Sequence, residues 1–436
     1  MHSSNRSRYY RLAKEGVWII VGQIASVFGT LVLVRVLTEH LDPTQYGHLA
    51  LGLTVTGLVN QAVMGGITAG IGRFYSIAAE KQDLQRYLWA SSQLMVYATA
   101  VVVAIGFVLI TGLLWLGYSQ WMGLAAAALV FSILSGYNSS LNGIQTAARQ
   151  RPVVALHGGL DAWLKIVLAV GVMLWLGSSS TAVVIGYTLS SLLVTGSQFI
   201  FLRRLIPLQG IQTAEPTPWA RQMWTYSWPF STWGIFTWIQ QSSDRWALEA
   251  FSNTHEVGLY AVLFQLGYTP IALATGMVMT FVAPIFYQRA GDATDPSRNA
   301  NVHRLALRIA LFSLLITLIG FGVALGLNEW IFRLLVAVEF RAVSYLLPWM
   351  VLAGGLFATG LMMALQLMSD MKTAAMSRVK IITALLGVIF SIYGASIAGL
   401  CGVVGALVAF SVLYLAWMAL ISFRIPFVVE ISSKPQ

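Results

Sequence analysis

Charged residues are scarce in this sequence. Only 10% of its 436 residues are Asp, Glu, Lys or Arg, whereas soluble domains carry about 25%. Hydrophobic residues make up 57% and the mean hydropathy is +0.74, so a water-soluble core could not bury all the apolar side chains. Lipid is therefore the predicted solvent for most of the chain.

Cysteine and the common catalytic motifs are also missing. The single Cys401 excludes an internal disulfide framework and a cysteine-based metal site. The sequence has no P-loop, which excludes ATP hydrolysis by this chain. It shows no Ser/His/Asp arrangement and no His or acidic cluster with metal-ligand spacing. We therefore expect a protein that is not an enzyme and that holds no metal or cofactor.

Long apolar stretches are what the sequence has instead, and twelve of them could cross a bilayer as helices. They lie at 16–37, 49–72, 89–115, 121–145, 153–176, 181–202, 224–249, 258–287, 306–327, 344–368, 379–398 and 402–423. The predicted fold is an all-α polytopic membrane protein with six spans in each of two lobes, 1–202 and 223–436. Residues 203–222, which contain three prolines, form the predicted cytoplasmic linker.

The positions of Lys and Arg predict the orientation of the chain. With both termini in the cytoplasm, 21 of the 26 basic residues fall in inner loops and tails, as the positive-inside rule requires. The other five are Arg35, Lys165, Arg245, Arg333 and Arg341. Nucleic acid is not an expected partner, because no basic patch is interleaved with base-stacking aromatic residues.

The stretch 224–258 repeats features of the first span and its outer loop. Arg35 and Glu39 stand four residues apart near the end of the first span, and Arg245 and Glu249 have the same spacing in the seventh. The second pair lies six spans after the first, so both pairs would have the same orientation in the membrane. The lobes would then be parallel repeats related by an axis along the membrane normal. Two six-helix lobes around a central cavity are the predicted architecture.

Both outer loops that follow these pairs carry helix-start signals. Asp42 is a capping residue with Pro43 at the first helical position. Asn253 is followed three residues later by Glu256, which is typical of a capping box. These signals predict that a long helix starts at each loop.

Charged side chains inside predicted spans mark candidate functional positions, since burying them in lipid is expensive. Asp161 and Lys165 share one helix face, and Lys165 lies ~18 Å from the inner end of its span, near the midplane. Arg35 and Arg245 lie nearer the outer ends. These three cations could line one cavity. Alternatively, the Asp161–Lys165 pair only locks helices together and the two arginines snorkel to the outer interface.

Acidic and amide side chains complete the candidate site. Asp244 points about 100° away from its neighbour Arg245, so we expect it to meet another helix or a coupling cation. The candidate ion-coupling or charge-pair residues are Asp161, Asp244, Glu39 and Glu249. The amides proposed to contact substrate are Asn60, Gln61 and Gln241. Hydrogen bonding between helices is the alternative role of such amides.

Four stretches of the chain have a familiar pattern. They are LVRVLTEHLDPTQYGHLAL at 33–51, YSWPF at 226–230, SSDRWALEAF with EVGLYAV at 242–262, and EFRAVSYLLPWMVLAG at 339–354. They resemble the polysaccharide-biosynthesis flippases of the multidrug/oligosaccharidyl-lipid/polysaccharide exporter superfamily. The resemblance implies an O-antigen-type flippase that moves a polyprenyl-diphosphate-linked oligosaccharide across the bacterial cytoplasmic membrane by alternating access.

The same resemblance implies a cationic central cavity, for which the matching positions here are Arg35, Lys165 and Arg245. It also implies ion coupling, and a glycan polymerase and a chain-length regulator as partners. A multidrug exporter of the same fold, a membrane-embedded glycan polymerase or ligase, and a non-transporting lipid-binding scaffold are the alternatives. The net basic character of the predicted membrane interior favours an anionic substrate over cationic drugs.

The orientation is open to a direct test. In a Cys401→Ser background, the substitution Asn253→Cys should react with a membrane-impermeant maleimide added to intact cells. Arg204→Cys and Arg298→Cys should react only after permeabilisation, because both lie in predicted cytoplasmic segments. Labelling of Asn253→Cys from the cytoplasmic side alone would overturn the topology.

Overall fold

The computed structural model describes the backbone of residues 2–204, 218–290, 295–369 and 373–424, and these ranges contain helices and no strand. The α-helices are α1 (His2–His40), α2 (Pro43–Val59), α3 (Gly65–Glu80), α4 (Leu84–Trp115), α5 (Met122–Ala147), α6 (Arg151–Leu176), α7 (Ser180–Arg203), α8 (Trp219–Phe251), α9 (Thr254–Gly267), α10 (Thr269–Ala290), α11 (Pro296–Leu335), α12 (Leu347–Ser369) and α13 (Thr373–Arg424). A π-helix, Asn60–Met64, joins α2 to α3. A 3-10 helix, Val338–Leu346, precedes α12. The predicted all-α class is confirmed.

Ten stretches of the described chain are long and apolar enough to cross a membrane, which makes this a multi-pass membrane protein. Hydroxyl, indole, amide and charged side chains along α8 lower its hydropathy, and α8 is not among the ten. Residues 380–423 of α13 count as one stretch although they hold two predicted spans. The count of twelve spans therefore stays a prediction.

Side-chain caps start the helices at the positions that the sequence indicated. Asp42 accepts a hydrogen bond from the Gln45 amide at 2.8 Å, with Pro43 as the first helical residue. Asn253 accepts one from the Glu256 amide at 2.9 Å. Both predicted caps are thus confirmed. The reciprocal half of the capping box at Asn253 is not formed, because the Glu256 carboxylate bonds elsewhere.

The chain divides into two compact units, 1–242 and 243–436, and the division falls inside α8. The first unit therefore continues past the predicted linker. Trp219, at the start of α8, is buried, and its indole donates to Asp83 at 2.8 Å. Its ring meets Tyr87 edge-on, and Met223 lies in the same buried cluster. The division into repeated lobes at 1–202 and 223–436 stays a prediction.

In the second unit α12 is the central helix. Sixteen of its 23 residues are buried, and α12 packs against α10, α11 and α13. Small residues allow the close approach: a Cβ at Gly355 would lie 2.2 Å from Thr317, and one at Gly360 would lie 2.6 Å from Tyr414. Small residues at helix contacts are the usual means of packing inside a membrane, where hydrophobic burial gives no drive to associate.

A backbone break divides α13 at Ala398 and Gly399, where φ and ψ leave the helical region. Gly399 has φ +50°, a conformation that side-chain-bearing residues rarely adopt. The Glu256 carboxylate accepts the freed amide of Leu400 at 2.7 Å. An acid from α9 thereby caps the second part of α13, which explains why Glu256 does not close its own capping box.

Replacing Gly399 should therefore cost stability. We expect Gly399→Ala to destabilise the purified protein by about 1–3 kcal/mol, through backbone strain and through the new Cβ, which would lie 2.6 Å from the Glu256 carboxylate. Thermal unfolding in detergent measures the change. Gly405→Ala is the matched control, because nothing lies within 4 Å of a Cβ there. Equal melting temperatures for both variants would contradict this account.

Candidate functional site

A charged pair lies midway along α6. Lys165 Nζ donates to Asp161 Oδ2 at 2.6 Å, and the two side chains keep 23% and 22% of their surface exposed. About 21 Å of helix separates Lys165 from Arg151 at the start of α6. The pair is therefore reachable by a ligand although it stands far from either end of the helix.

Neighbouring helices surround this pair with aromatic rings and a hydroxyl. Lys165 Nζ lies 5.6 Å from the ring centre of Phe131 on α5 and 5.9 Å from that of Tyr187 on α7. Ser190 of α7 is within hydrogen-bonding distance of Asp161 Oδ1, at 3.4 Å. Cation–π contact with these rings adds to the stabilisation of the ammonium group by Asp161. Sequence reasoning missed these three partners, since nothing in the spacing links α6 to α5 and α7.

Two amides predicted to contact substrate come together in the first unit. Gln61 Nε2 donates to Gln241 Oε1 at 2.9 Å, although 180 positions separate them. Gln61 belongs to the π-helix, where the Gly65 amide reaches back to the Asn60 carbonyl. Single π-turns inside α-helices occur frequently at functional positions. The sequence singled out the amides but gave no sign of the π-helix.

Glycine makes this contact between α8 and the π-helix possible. A Cβ at Gly234 would stand 2.1 Å from the Gln61 carbonyl oxygen, so only glycine fits. The Trp238 indole donates to the Thr54 carbonyl at 2.7 Å, one turn further along α8. Asn60 donates to Ser135 at 2.9 Å and keeps its buried Oδ1 without a hydrogen-bond partner in the described chain.

Arg35 and Glu39 form an ion pair within α1. Both side chains remain partly exposed, so the pair contributes little to stability. In the first turn of α2, Gln45 Oε1 accepts a hydrogen bond from the Ser180 backbone amide at 3.0 Å and ties α2 to the start of α7. The first unit thus holds Arg35 and Lys165 in separate local pairs.

In the second unit Asp244 meets another helix. It is 6% exposed, and Tyr260 of α9 donates its hydroxyl to the Asp244 carboxylate. The Arg245 guanidinium lies 5.1 Å from the ring centre of Phe264, also on α9. Buried Arg245 Nε has no hydrogen-bond partner in the described part of the chain. Tyr260 and Phe264 lie four residues apart on α9 and hold the two neighbouring charges of α8.

Glu249 differs from its sequence counterpart Glu39. It accepts a hydrogen bond from Thr254 at 3.0 Å, and within the described ranges it forms no ion pair with Arg245. The shared Arg-x-x-x-Glu spacing therefore gives two local arrangements. The only sequence signal for the α9 partners is that Tyr260 and Phe264 stand four residues apart, on one helix face. The sequence does not indicate that this face packs against Asp244.

A family model described as "Polysaccharide biosynthesis protein" matches residues 12–289, well over half of the chain. The chain belongs to this family. The match runs from α1 through the end of α10 and includes every predicted site residue. A comparison with curated proteins finds no match.

Solved structures place this polysaccharide biosynthesis family member in a known fold. The lipid II flippase MurJ, in an inward closed conformation, matches with a TM-score of 0.70 at 10% identity, over 94% of this chain and 87% of that chain. An inward-facing multidrug resistance MATE transporter of the MOP superfamily matches with a TM-score of 0.61 at 13% identity, over 93% and 98%. A Vibrio cholerae MATE transporter matches with a TM-score of 0.56 at 15% identity, over 97% and 98%. The recognised superfamily fold is thus confirmed.

The contact between the π-helix and α8 can be tested by crosslinking. In a Cys401→Ser background, Gln61→Cys with Gln241→Cys should form an oxidative or short-reagent crosslink, because the native side chains touch at 2.9 Å. Gln61→Cys with Ile239→Cys is the control, since Ile239 points about 200° away on the same helix. A mobility shift in gels measures the yield. Equal yields in the two pairs would contradict the described packing.

Proposed function

We propose that this protein is a flippase that carries a polyprenyl-diphosphate-linked oligosaccharide, an O-antigen or other surface-polysaccharide repeat unit, across the bacterial cytoplasmic membrane. Membership of the polysaccharide biosynthesis family and the transporter fold support a transport role. The observation that carries the choice of substrate is Lys165, a partly exposed cation midway along a membrane helix. Both termini would be cytoplasmic, by the distribution of basic residues.

A diphosphate cannot cross hydrocarbon without compensating charge. Lys165 would supply a charge-assisted hydrogen bond to a phosphate oxygen. Its contact with Asp161 holds the ammonium group in place until an anion competes for it. Arg245 would act in the same way in the second unit, since its buried Nε has no partner among the described residues. Arg35 is the third candidate, released from Glu39.

Sugar hydroxyls need amides and hydroxyls that can exchange partners. Gln61 and Gln241 bond to each other and could open to a sugar ring. The Oδ1 atom of Asn60, which has no hydrogen-bond partner in the described chain, would accept a hydrogen bond from a sugar hydroxyl. The polyprenyl chain would remain in lipid.

Acidic groups are the candidates for ion coupling. Asp161 would be freed when Lys165 turns to the substrate, and Asp244 is buried against Tyr260. Protonation or cation binding at either carboxylate would then alternate with substrate binding. Glu39 and Glu249 would exchange between their local partners in the same manner.

A multidrug exporter of the same superfamily is the second candidate. The observation that favours it is the buried carboxylate of Asp244, since acids attract cationic drugs. An assay of flipping in proteoliposomes separates the two candidate functions. A fluorescent lipid-linked oligosaccharide that reaches the outer leaflet loses its signal to a membrane-impermeant quencher. Transport of cationic drugs without lipid flipping would leave only the exporter.

Substitution of Lys165 tests the proposed substrate site. Lys165→Ala should fold but lose at least about tenfold in flipping rate, because a charged hydrogen bond contributes about 1.5–3 kcal/mol and each 1.4 kcal/mol is about tenfold. Lys165→Arg should keep partial activity, since the charge survives while its geometry changes.

The double variant Asp161→Ala/Lys165→Ala distinguishes a substrate contact from a structural pair. If the pair only holds α6, removing both charges should restore transport, because no unpaired charge remains. We expect the double variant to fold and to stay inactive. Melting temperature and size-exclusion profile control for folding, and normal flipping by the double variant would refute the role of Lys165.

A further inference from the structure

A cavity of about 540 Å³, open to the surface, lies between the end of α10 and the start of α11 in the second unit. Seven of the described residues line it, and none of these belongs to the candidate transport site. Four are arginines: Arg289, Arg298, Arg304 and Arg308. The other three are Gln288, Asn301 and Leu305.

Helical spacing and the hydrogen bonds of one arginine side chain bring the arginines together. Arg298, Leu305 and Arg308 share one face of α11, at intervals of seven and three residues. Arg298 donates to the carbonyls of Arg289 and Gln288, each at 2.9 Å, and so fixes the end of α10 against α11. The cavity is therefore a built feature of this helix pair.

The described lining residues do not compensate the positive charge of this cavity. None of the seven lining residues is acidic. Arg304 donates to the amide oxygen of Asn301 at 2.8 Å, and the side chain of Arg308 has no hydrogen bond to the described chain. The nearby Asp295 caps α11 through the Ser297 and Arg298 amides, and the bonds from Ser297 lower its pKa. Four clustered cations attract an anion and release mutual repulsion when it binds.

The surface next to the cavity is apolar and open to lipid. Leu305 packs on a buried cluster that contains Phe286 and Leu365, which gives the cavity a hydrophobic floor. Beyond Arg308 the same face of α11 carries large hydrophobic side chains, each more than half exposed. They are Leu311, Phe312, Leu315 and Ile319. A free phosphate would use only the arginines, whereas a lipid would use both the arginines and this stripe.

We propose that the arginine cavity binds the phosphate headgroup of an anionic membrane phospholipid, with its acyl chains along the exposed face of α11. Charge-assisted, bidentate hydrogen bonds from Arg304 and Arg308 hold the phosphate. By the predicted orientation, the lipid comes from the cytoplasmic leaflet, whose juxtamembrane basic clusters attract anionic headgroups. This site is separate from the transport path proposed above.

Binding of short-chain phosphatidylglycerol to the full-length protein in neutral detergent tests the proposal. Native mass spectrometry counts bound lipid, and a titration gives its affinity. Arg304→Gln/Arg308→Gln should weaken binding about tenfold or more, while Arg298 is left intact because it holds the two helices together. Arg203→Gln/Arg204→Gln removes the same charge from exposed positions outside the cavity and should leave affinity unchanged. Circular dichroism and melting temperature check that both variants fold.

Competing ligands identify the source of the phosphate. Short-chain phosphatidylcholine and inorganic phosphate should bind at least about tenfold more weakly than phosphatidylglycerol, because one lacks net charge and the other lacks acyl chains. Equal weakening in both double variants, or equal binding of the two phospholipids, would overturn the cavity as the site. Inorganic phosphate binding as tightly as phosphatidylglycerol would make it a soluble-anion site. Displacement of phosphatidylglycerol from wild-type protein, but not from Arg304→Gln/Arg308→Gln, by a polyprenyl diphosphate would assign the cavity to the transported lipid instead.

Discussion

Hydrocarbon offers no hydrogen-bond partner to a peptide group, and every described membrane segment of this protein obeys that constraint by being helical. Departures from the α-helix need partners from elsewhere in the chain. At the π-helix, Gly65 finds the Asn60 carbonyl one residue further back than usual. At the break in α13, Glu256 supplies the acceptor that the helix no longer gives to Leu400. At each irregularity, a defined group of the chain therefore accepts a hydrogen bond from a displaced backbone amide.

Side chains with charge face the same constraint, and the structure resolves it locally. Lys165 has Asp161 one turn away and two aromatic rings beside it. Asp244 has the hydroxyl of Tyr260, and Arg245 lies on the ring of Phe264. These partners hold the charges without neutralising every donor and acceptor. Arg245 Nε, for example, has no hydrogen-bond partner among the described residues, and under our proposal an anion would bind there.

Basic side chains occur in two different settings in this polysaccharide biosynthesis family member. Within α6, a single ammonium group is paired with one carboxylate and remains partly exposed. At the start of α11, arginines line one cavity beside a lipid-exposed face. A cluster of that kind holds an anion more firmly than a lone cation does. Under our two proposals, the first setting serves a passing substrate and the second a resident lipid.

Hydropathy and spacing determined the class of fold, the apolar helices, the caps at Asp42 and Asn253 and the i,i+4 pairing of Asp161 with Lys165, because each depends on residues close together in the chain. The family resemblance also rested on local stretches. Only the tertiary structure decided that Gln61 meets Gln241, that α8 begins in the first compact unit, and that Glu256 caps Leu400. Each of these contacts joins distant segments, and in lipid apolar faces look alike. Close steric fit at residues such as Gly234 then selects which helices pack together.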